Sequence, residues 1–221
     1  MVKEYEEPDE SRVSRPVLWE GRGEIPRPDP IRRNYSMTDN MTSKIAFIGG
    51  IHGVGKSTVC KHICRDLKIE YLSASELLKW KDLNEDAQNK KVKDIPYTQN
   101  RLILGLTNTV QEGKFYLLDG HYCLLNTNNE ITRVPVEAFE QINPFSLNII
   151  LGDISEVNKR LETRDGRIYD YELLEHLQNE ELTYARQLSK TLGITLNIGT
   201  QNDYSELLTL NRNILTAKNE K

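Results

Sequence analysis

Gly50-Ile51-His52-Gly53-Val54-Gly55-Lys56-Ser57 follows the apolar run Lys44-Ile45-Ala46-Phe47-Ile48-Gly49 and precedes a stretch of helical character from Thr58 onward. The order is strand, glycine-rich loop and helix, with the spacing Gly-x4-Gly-Lys-Ser. With glycine at about 7% of average composition, such a match arises by chance in roughly one chain in a hundred of this length. The flanking strand and helix make coincidence rarer still. The pattern implies a phosphate cradle, in which backbone N–H groups converge at a helix N-terminus and the helix dipole also favours an anion. Gly50, His52, Gly53, Val54, Gly55, Lys56, Ser57 and Thr58 are therefore expected to hold the phosphates of a nucleoside triphosphate. Lys56 is expected to reach the β and γ oxygens and the Ser57 hydroxyl to ligate Mg²⁺. His52 reads as a variable loop position facing solvent, with a catalytic role as the alternative.

Around this loop the chain has 221 residues and a net charge of −4. That length suits one well-buried domain with a tail. The charge gives no global basic field, so extended nucleic-acid binding is not favoured, although local patches are not excluded. No run of 18 apolar residues occurs and the acidic start lacks the apolar core of a signal peptide, so the expectation is a cytoplasmic protein without a membrane partner. Cys60, Cys64 and Cys123 are too few and odd in number for a disulfide scaffold, and they read as small buried apolar groups rather than metal ligands.

Residues 1–42 hold five of the eight prolines, interleaved charges and only scattered large apolar residues such as Trp19. This composition predicts a disordered extension, with a docking arm for a protein partner as the alternative. Residues 43–221 form the expected folded domain. There, apolar runs alternate with helical periods, which is the α/β pattern. Strands are expected at about 44–49, 69–72, 114–118, 146–152 and 194–198, with helices at about 55–67, 75–80, 97–111, 136–142, 155–163, 171–192 and 205–218. The fold class is thus a five-stranded parallel sheet of the P-loop NTPase type with helices on both faces.

Two further constellations carry chemistry. Lys114 to Leu118 is an apolar strand ending in Asp119-Gly120-His121. Beside a phosphate loop such an acid holds Mg²⁺ directly or through water. His121 has two readings, one reaching a phosphate or a water and one merely structural. Arg160, Arg164 and Arg167 fall within eight residues at a helix end that passes into a glycine turn. They suit a lid that neutralises the charge of phosphoryl transfer, the alternative being a solvated helix end paired with Glu162 and Asp165.

The phosphate loop, Leu118-Asp119-Gly120-His121, the three arginines and the long helix after them resemble, in that order, the P-loop nucleoside monophosphate kinases. The pattern looks most like the small archaeal-type adenylate kinases and their eukaryotic relatives. The likeness spans roughly residues 44 to 198. It implies Mg·ATP as donor, with catalytic parts for Lys56, Asp119, His121, Arg160, Arg164 and Arg167, and metal contacts from Ser57 and Asp119. The segment where that family binds its acceptor corresponds to 73–101, which offers Lys90, Lys91, Lys93 and Arg101 but lacks the family's Arg-Asp cluster. A lysine neutralises a phosphate without gripping it bidentately.

Three functions follow as expectations. The first is a phosphotransferase acting on a nucleotide or other small acceptor. The second is an ATP-hydrolysing switch or assembly factor for a protein or ribonucleoprotein partner. The third, less favoured, is a kinase of nucleic-acid ends guided by Lys90 to Lys93.

Overall fold

β1 (Ile45–Gly49) is buried at all five residues, because it lies between two other strands and under helices. In the computed structural model, which describes residues 44–78, 95–125, 130–166 and 168–219, the main sheet has the order β2-β3-β1-β6-β7 and every pairing is parallel. Its other members are β2 (Glu70–Ser73), β3 (Tyr116–Asp119), β6 (Ser146–Leu151) and β7 (Leu196–Thr200). The expected five-stranded parallel sheet is present. The extension 1–42 with Trp19, the lysines 90, 91 and 93, and Arg167 lie outside the described residues.

The helices are α1 (Lys56–Leu67), α2 (Ile95–Thr109), α3 (Val136–Ile142), α4 (Ile154–Asp165), α5 (Tyr171–Leu192) and α6 (Ser205–Asn219), and residues 74–78 are helical as well. α5 ends where Gly193 adopts φ 66°, as its glycine stop signal predicts. α2 begins two residues before its expected start and takes in Pro96 in its first turn, where a missing N–H costs no helical bond. Among the described residues, no helix is long and apolar enough to cross a membrane.

One element escaped the sequence reading. β4 (Cys123–Leu125) and β5 (Ile131–Arg133) pair antiparallel as a small second sheet. Strands of three residues are too short to display a two-residue alternation. The pair packs on α5, where Tyr184 donates its hydroxyl to Val134 O and stacks under the Arg133 guanidinium at 4.9 Å.

Two different fillings hold the sheet between its helical layers. On one face the rings of Phe47, Tyr122, Phe139 and Tyr184 meet with centroids 5.0 to 6.3 Å apart. Such contacts add about 0.5–1.5 kcal/mol each beyond area burial. On the other, Asn148 of β6 accepts from the amides of Asn197 in β7 and Asn211 in α6, both at 2.8 Å, and donates to Phe47 O at 2.9 Å. Ser146 donates to Asn211 at 2.6 Å. All four polar side chains are buried, and their mutual hydrogen bonds offset part of the desolvation cost, although Asn197 Oδ1 has no partner among the described residues.

Order reverses at β1. The chain leaves it through α1 to reach β2 on one side and later builds β6 and β7 on the other. In open parallel sheets the crevice at such a reversal, at the carboxyl ends of the strands, is where ligands bind.

Candidate functional site

The loop from Gly50 to Gly55 leaves β1 at that reversal and enters α1. Gly50 has φ 137° and a Cβ there would sit 2.5 Å from Ile150 O. Gly55, the N-cap of α1, has φ 95°, and a Cβ there would sit 2.7 Å from the Gln201 side chain. Both positions demand glycine by conformation, and Gly50 by space as well, since its obstacle is backbone whereas the Gln201 side chain over Gly55 can move. Val54 packs inward, fully buried beneath the loop.

α1 differs from its neighbours at its start. Asp153 and Asp170 cap α4 and α5 with side-chain acceptors for Glu156 N and Leu173 N. α1 has no side-chain cap and no acid in its first turn. Its opening N–H groups, with Ser57 and Thr58 on the exposed side, therefore suit an outside anion.

Lys56 is almost fully buried. Its Nζ donates to Gly50 O at 2.5 Å and to Ile51 O at 3.4 Å, and lies 4.0 Å from Asp119 Oδ1. Parallel pairing makes this possible: Asp119, last residue of β3, is in register with Ile48 of β1. Tyr71 donates its hydroxyl to Asp119 Oδ2 at 3.0 Å. Burial raises the Asp119 carboxyl above its ordinary range, opposed by the Lys56 charge and the Tyr71 hydrogen bond. The donor set beside the loop is thus a carboxylate and the Ser57 hydroxyl, hard oxygens that suit Mg²⁺ held jointly with triphosphate oxygens.

His121 is mostly buried, with Nδ1 3.3 Å from Glu181 Oε1. Burial first, then the Lys56 charge, holds its imidazole well below the usual range and so neutral. Its ring also engages the backbone of Gly50. His52 is on the exposed side of the loop, as the sequence reading expects. What the sequence did not show is its neighbour: its ring lies 4.3 Å from that of His121. His121, then burial, then Lys56 lower its pKa.

The arginines divide. Arg160 donates to Gln201 Oε1 at 2.5 Å and to Glu156 O at 3.3 Å. Through Gln201 it is tied to the roof of Gly55. Arg164 forms a two-pronged pair with Asp165 at 2.6 and 2.8 Å, and Tyr169 hydrogen-bonds the same carboxylate. Asp165 is the partner that the solvated-helix reading named for this helix end, whereas Glu162 accepts from Asn158 instead. A hollow of ≈ 460 Å³ lined by Glu156, Lys159, Arg160, Thr163 and Arg164 runs along α4.

Sequence reasoning missed two residues here. Gln201 follows β7 with no motif to mark it. Glu181 carried a signal: in α5 the buried positions are Leu174, Leu177, Glu181, Tyr184, Ala185 and Leu188, so an acid occupies the apolar stripe. Cys60 and Cys123 are buried thiols and Cys64 is half-buried. Burial pushes Cys60 and Cys123 up, the latter to about 12, in keeping with inert packing groups.

A glycine loop after β1, a buried lysine and an acid ending the neighbouring strand β3 define a P-loop kinase-like fold. A family model described as an AAA domain matches residues 49–178, over half of the chain, and the chain belongs to that family. Comparison with curated proteins gave no match. Among solved structures, the chain is similar to a gluconokinase from Sinorhizobium meliloti 1021, at 14% identity over 81% of this chain and 95% of that one, with a TM-score of 0.45. It is also similar to the YorR protein from Bacillus subtilis in complex with phosphorylated GDP, at 15% identity over 80% and 98% with a TM-score of 0.43. An uncharacterized protein from Eubacterium ventriosum matches at 17% identity over 79% and 96%, with a TM-score of 0.40.

Proposed function

We propose that the protein is an ATP-dependent phosphotransferase, nucleoside monophosphate kinase-like in plan, that moves the γ-phosphoryl of Mg·ATP to a nucleotide or related small acceptor. The observation that carries this reading is the Lys56–Asp119 approach of 4.0 Å at the carboxyl ends of adjacent strands, beside an uncapped helix start. In this reading the α1 N–H groups and Lys56 bind the triphosphate. Lys56 gives up its loop carbonyls for β and γ oxygens as the nucleotide enters. Asp119 and Ser57 would hold Mg²⁺, which supplies charge neutralisation between the phosphates when bound. Neutral His121 would be the group that hydrogen-bonds the reacting phosphoryl or the attacking group. Arg160 and Arg164 would turn from Gln201 and Asp165 toward the charge that develops in transfer.

The testing experiment is an ADP-release screen against nucleoside monophosphates, nucleosides, small hydroxylated acceptors and nucleic-acid ends, run beside Lys56→Ala. A sharp rise with one acceptor class, lost in the variant, is expected. Turnover that no acceptor raises would discard the transferase reading.

One observation favours an ATP-hydrolysing switch as the second reading. Arg101, the single arginine of the 73–101 segment, points a guanidinium N–H at Leu78 O, 3.4 Å away, and so braces its own segment. Slow, acceptor-independent hydrolysis accelerated by a protein partner would support it.

A further inference from the structure

Glu181 is an ionisable group placed where an apolar side chain would be expected. It is fully buried in the middle of α5, on the stripe that packs against the sheet. Its Oε1 accepts from Tyr122 N at 3.2 Å and Cys123 N at 3.4 Å, and faces His121 Nδ1 at 3.3 Å. Its Oε2 is buried with no hydrogen-bond partner among the described residues. Burying a carboxyl with one oxygen unsatisfied costs free energy that a leucine here would not, so stability alone does not account for it. The arrangement does accomplish two things: it anchors the segment after β3 and grips one edge of the His121 ring. The ring of His52, from the phosphate loop itself, lies against that imidazole at a centroid distance of 4.3 Å. Glu181, His121 and His52 form a column running from α5 to the phosphate loop.

We propose that Glu181 is a positioning residue for phosphoryl transfer, which holds His121 in one orientation and one tautomer against the phosphate loop. The proposal rests on the phosphotransferase reading and adds to it the residue through which α5 acts on the site. Glu181 touches no reacting atom in this scheme. Its effect is exerted through the imidazole, as second partners of functional histidines act elsewhere.

The test uses the full chain and three substitutions. Glu181→Met keeps the volume and removes the acceptor. Glu181→Gln restores an acceptor for the Tyr122 and Cys123 N–H groups. His121→Ala removes the positioned group. With Mg·ATP turned over to acceptor or water, Glu181→Met is expected to lower kcat at least about tenfold while leaving KM for ATP within about twofold. Glu181→Gln should recover much of that loss. Glu181→Met combined with His121→Ala should be no slower than His121→Ala alone, because residues acting as one unit are not additive. Additive losses would overturn the proposal, as would full activity in a folded Glu181→Met.

A readout independent of turnover is the ¹⁵N spectrum of the His121 ring. A single tautomer in the wild type that becomes a mixture in Glu181→Met supports positioning; an unchanged ring spectrum overturns it. If the wild type transfers and hydrolyses nothing, the phosphotransferase reading falls while the ring spectrum still decides what Glu181 holds. Should Glu181→Met fail to fold, Glu181→Gln carries the test. A retained single tautomer in it supports the proposal and a mixture opposes it.

Discussion

The side chain of Gln201 lies so close above Gly55 that a Cβ at Gly55 would sit 2.7 Å from Gln201 Cδ, while Arg160 holds the Gln201 carbonyl oxygen at 2.5 Å. The last strand of the sheet thereby reaches back over the phosphate loop that follows the first. Gly55→Ala must then displace Gln201 and place a side chain at φ 95°, a strain of about 1–3 kcal/mol. The expected outcome is a lowered melting temperature together with loss of the melting gain from Mg·ATP. Gln201→Ala added to Gly55→Ala relieves the clash but not the backbone strain, so it should restore part of the stability. Full restoration would show that the collision alone, and not the backbone, requires glycine.

Lys56 and Asp119 can be separated by their different dependence on the metal. Lys56→Ala removes a cation that restrains the upward pull of burial on Asp119 and that, in the proposed function, grips the phosphates. A rate loss of about 10²–10³ is expected, with the Asp119 carboxyl rising further. Asp119→Asn should lose a similar factor. Its binding of ATP without added Mg²⁺, measured by calorimetry, should stay near wild type, because the loop amides and Lys56 remain. If metal-free binding collapsed in Asp119→Asn, the carboxylate would be organising the loop rather than the metal.

Locality in the chain decided what was legible in the sequence. The phosphate loop, the strand ending at Asp119 and the glycine stop of α5 are each written in fewer than ten consecutive residues, with a periodicity or a spacing to read. The five strands of the main sheet emerged for the same reason. The β4–β5 hairpin did not, since each of its strands spans three residues. The partners within the site stayed hidden because they meet only after folding. Glu181 is 60 residues from His121 and Gln201 is 41 from Arg160. His52 could not be read as a neighbour of His121 without knowing that β3 inserts beside β1. The arginine cluster was visible, but whether Arg164 faces a ligand or Asp165 is a matter of rotamer, which spacing does not encode.

The buried amide network gives a prediction about stability that leaves the site alone. Asn148→Leu strips partners from Asn197 and Asn211 and from Phe47 O at one stroke. Each buried polar group left unpaired costs about 1–3 kcal/mol. Urea denaturation should therefore show a loss of at least about 2 kcal/mol, with nucleotide-induced stabilisation retained in the fraction that stays folded. A neutral result would mean that α6 is held to the sheet by its apolar contacts, chiefly Leu207, which is fully buried against Gly199.

The pH dependence of stability should carry the mark of Glu181. Burial pushes its carboxyl from 4.5 up to about 7, opposed by Lys56 and by the N–H groups of Cys123 and Tyr122. A raised folded-state pKa means that the native protein binds a proton more readily than the unfolded chain between those values. Its contribution is fully present below about 4.5 and is lost as pH rises through about 7. His52 and His121, both held neutral by the site, act in the opposite sense, since below about 6.5 the unfolded chain gains protons they do not. The two effects overlap in the wild type, so the comparison that isolates Glu181 is with Glu181→Gln, which cannot titrate. From pH 5 to about pH 7 the stability of wild type relative to that variant is expected to fall, and to level off by pH 8, measured by urea denaturation at each pH. A difference independent of pH would place the Glu181 carboxyl at its ordinary value and the charge on α5 throughout.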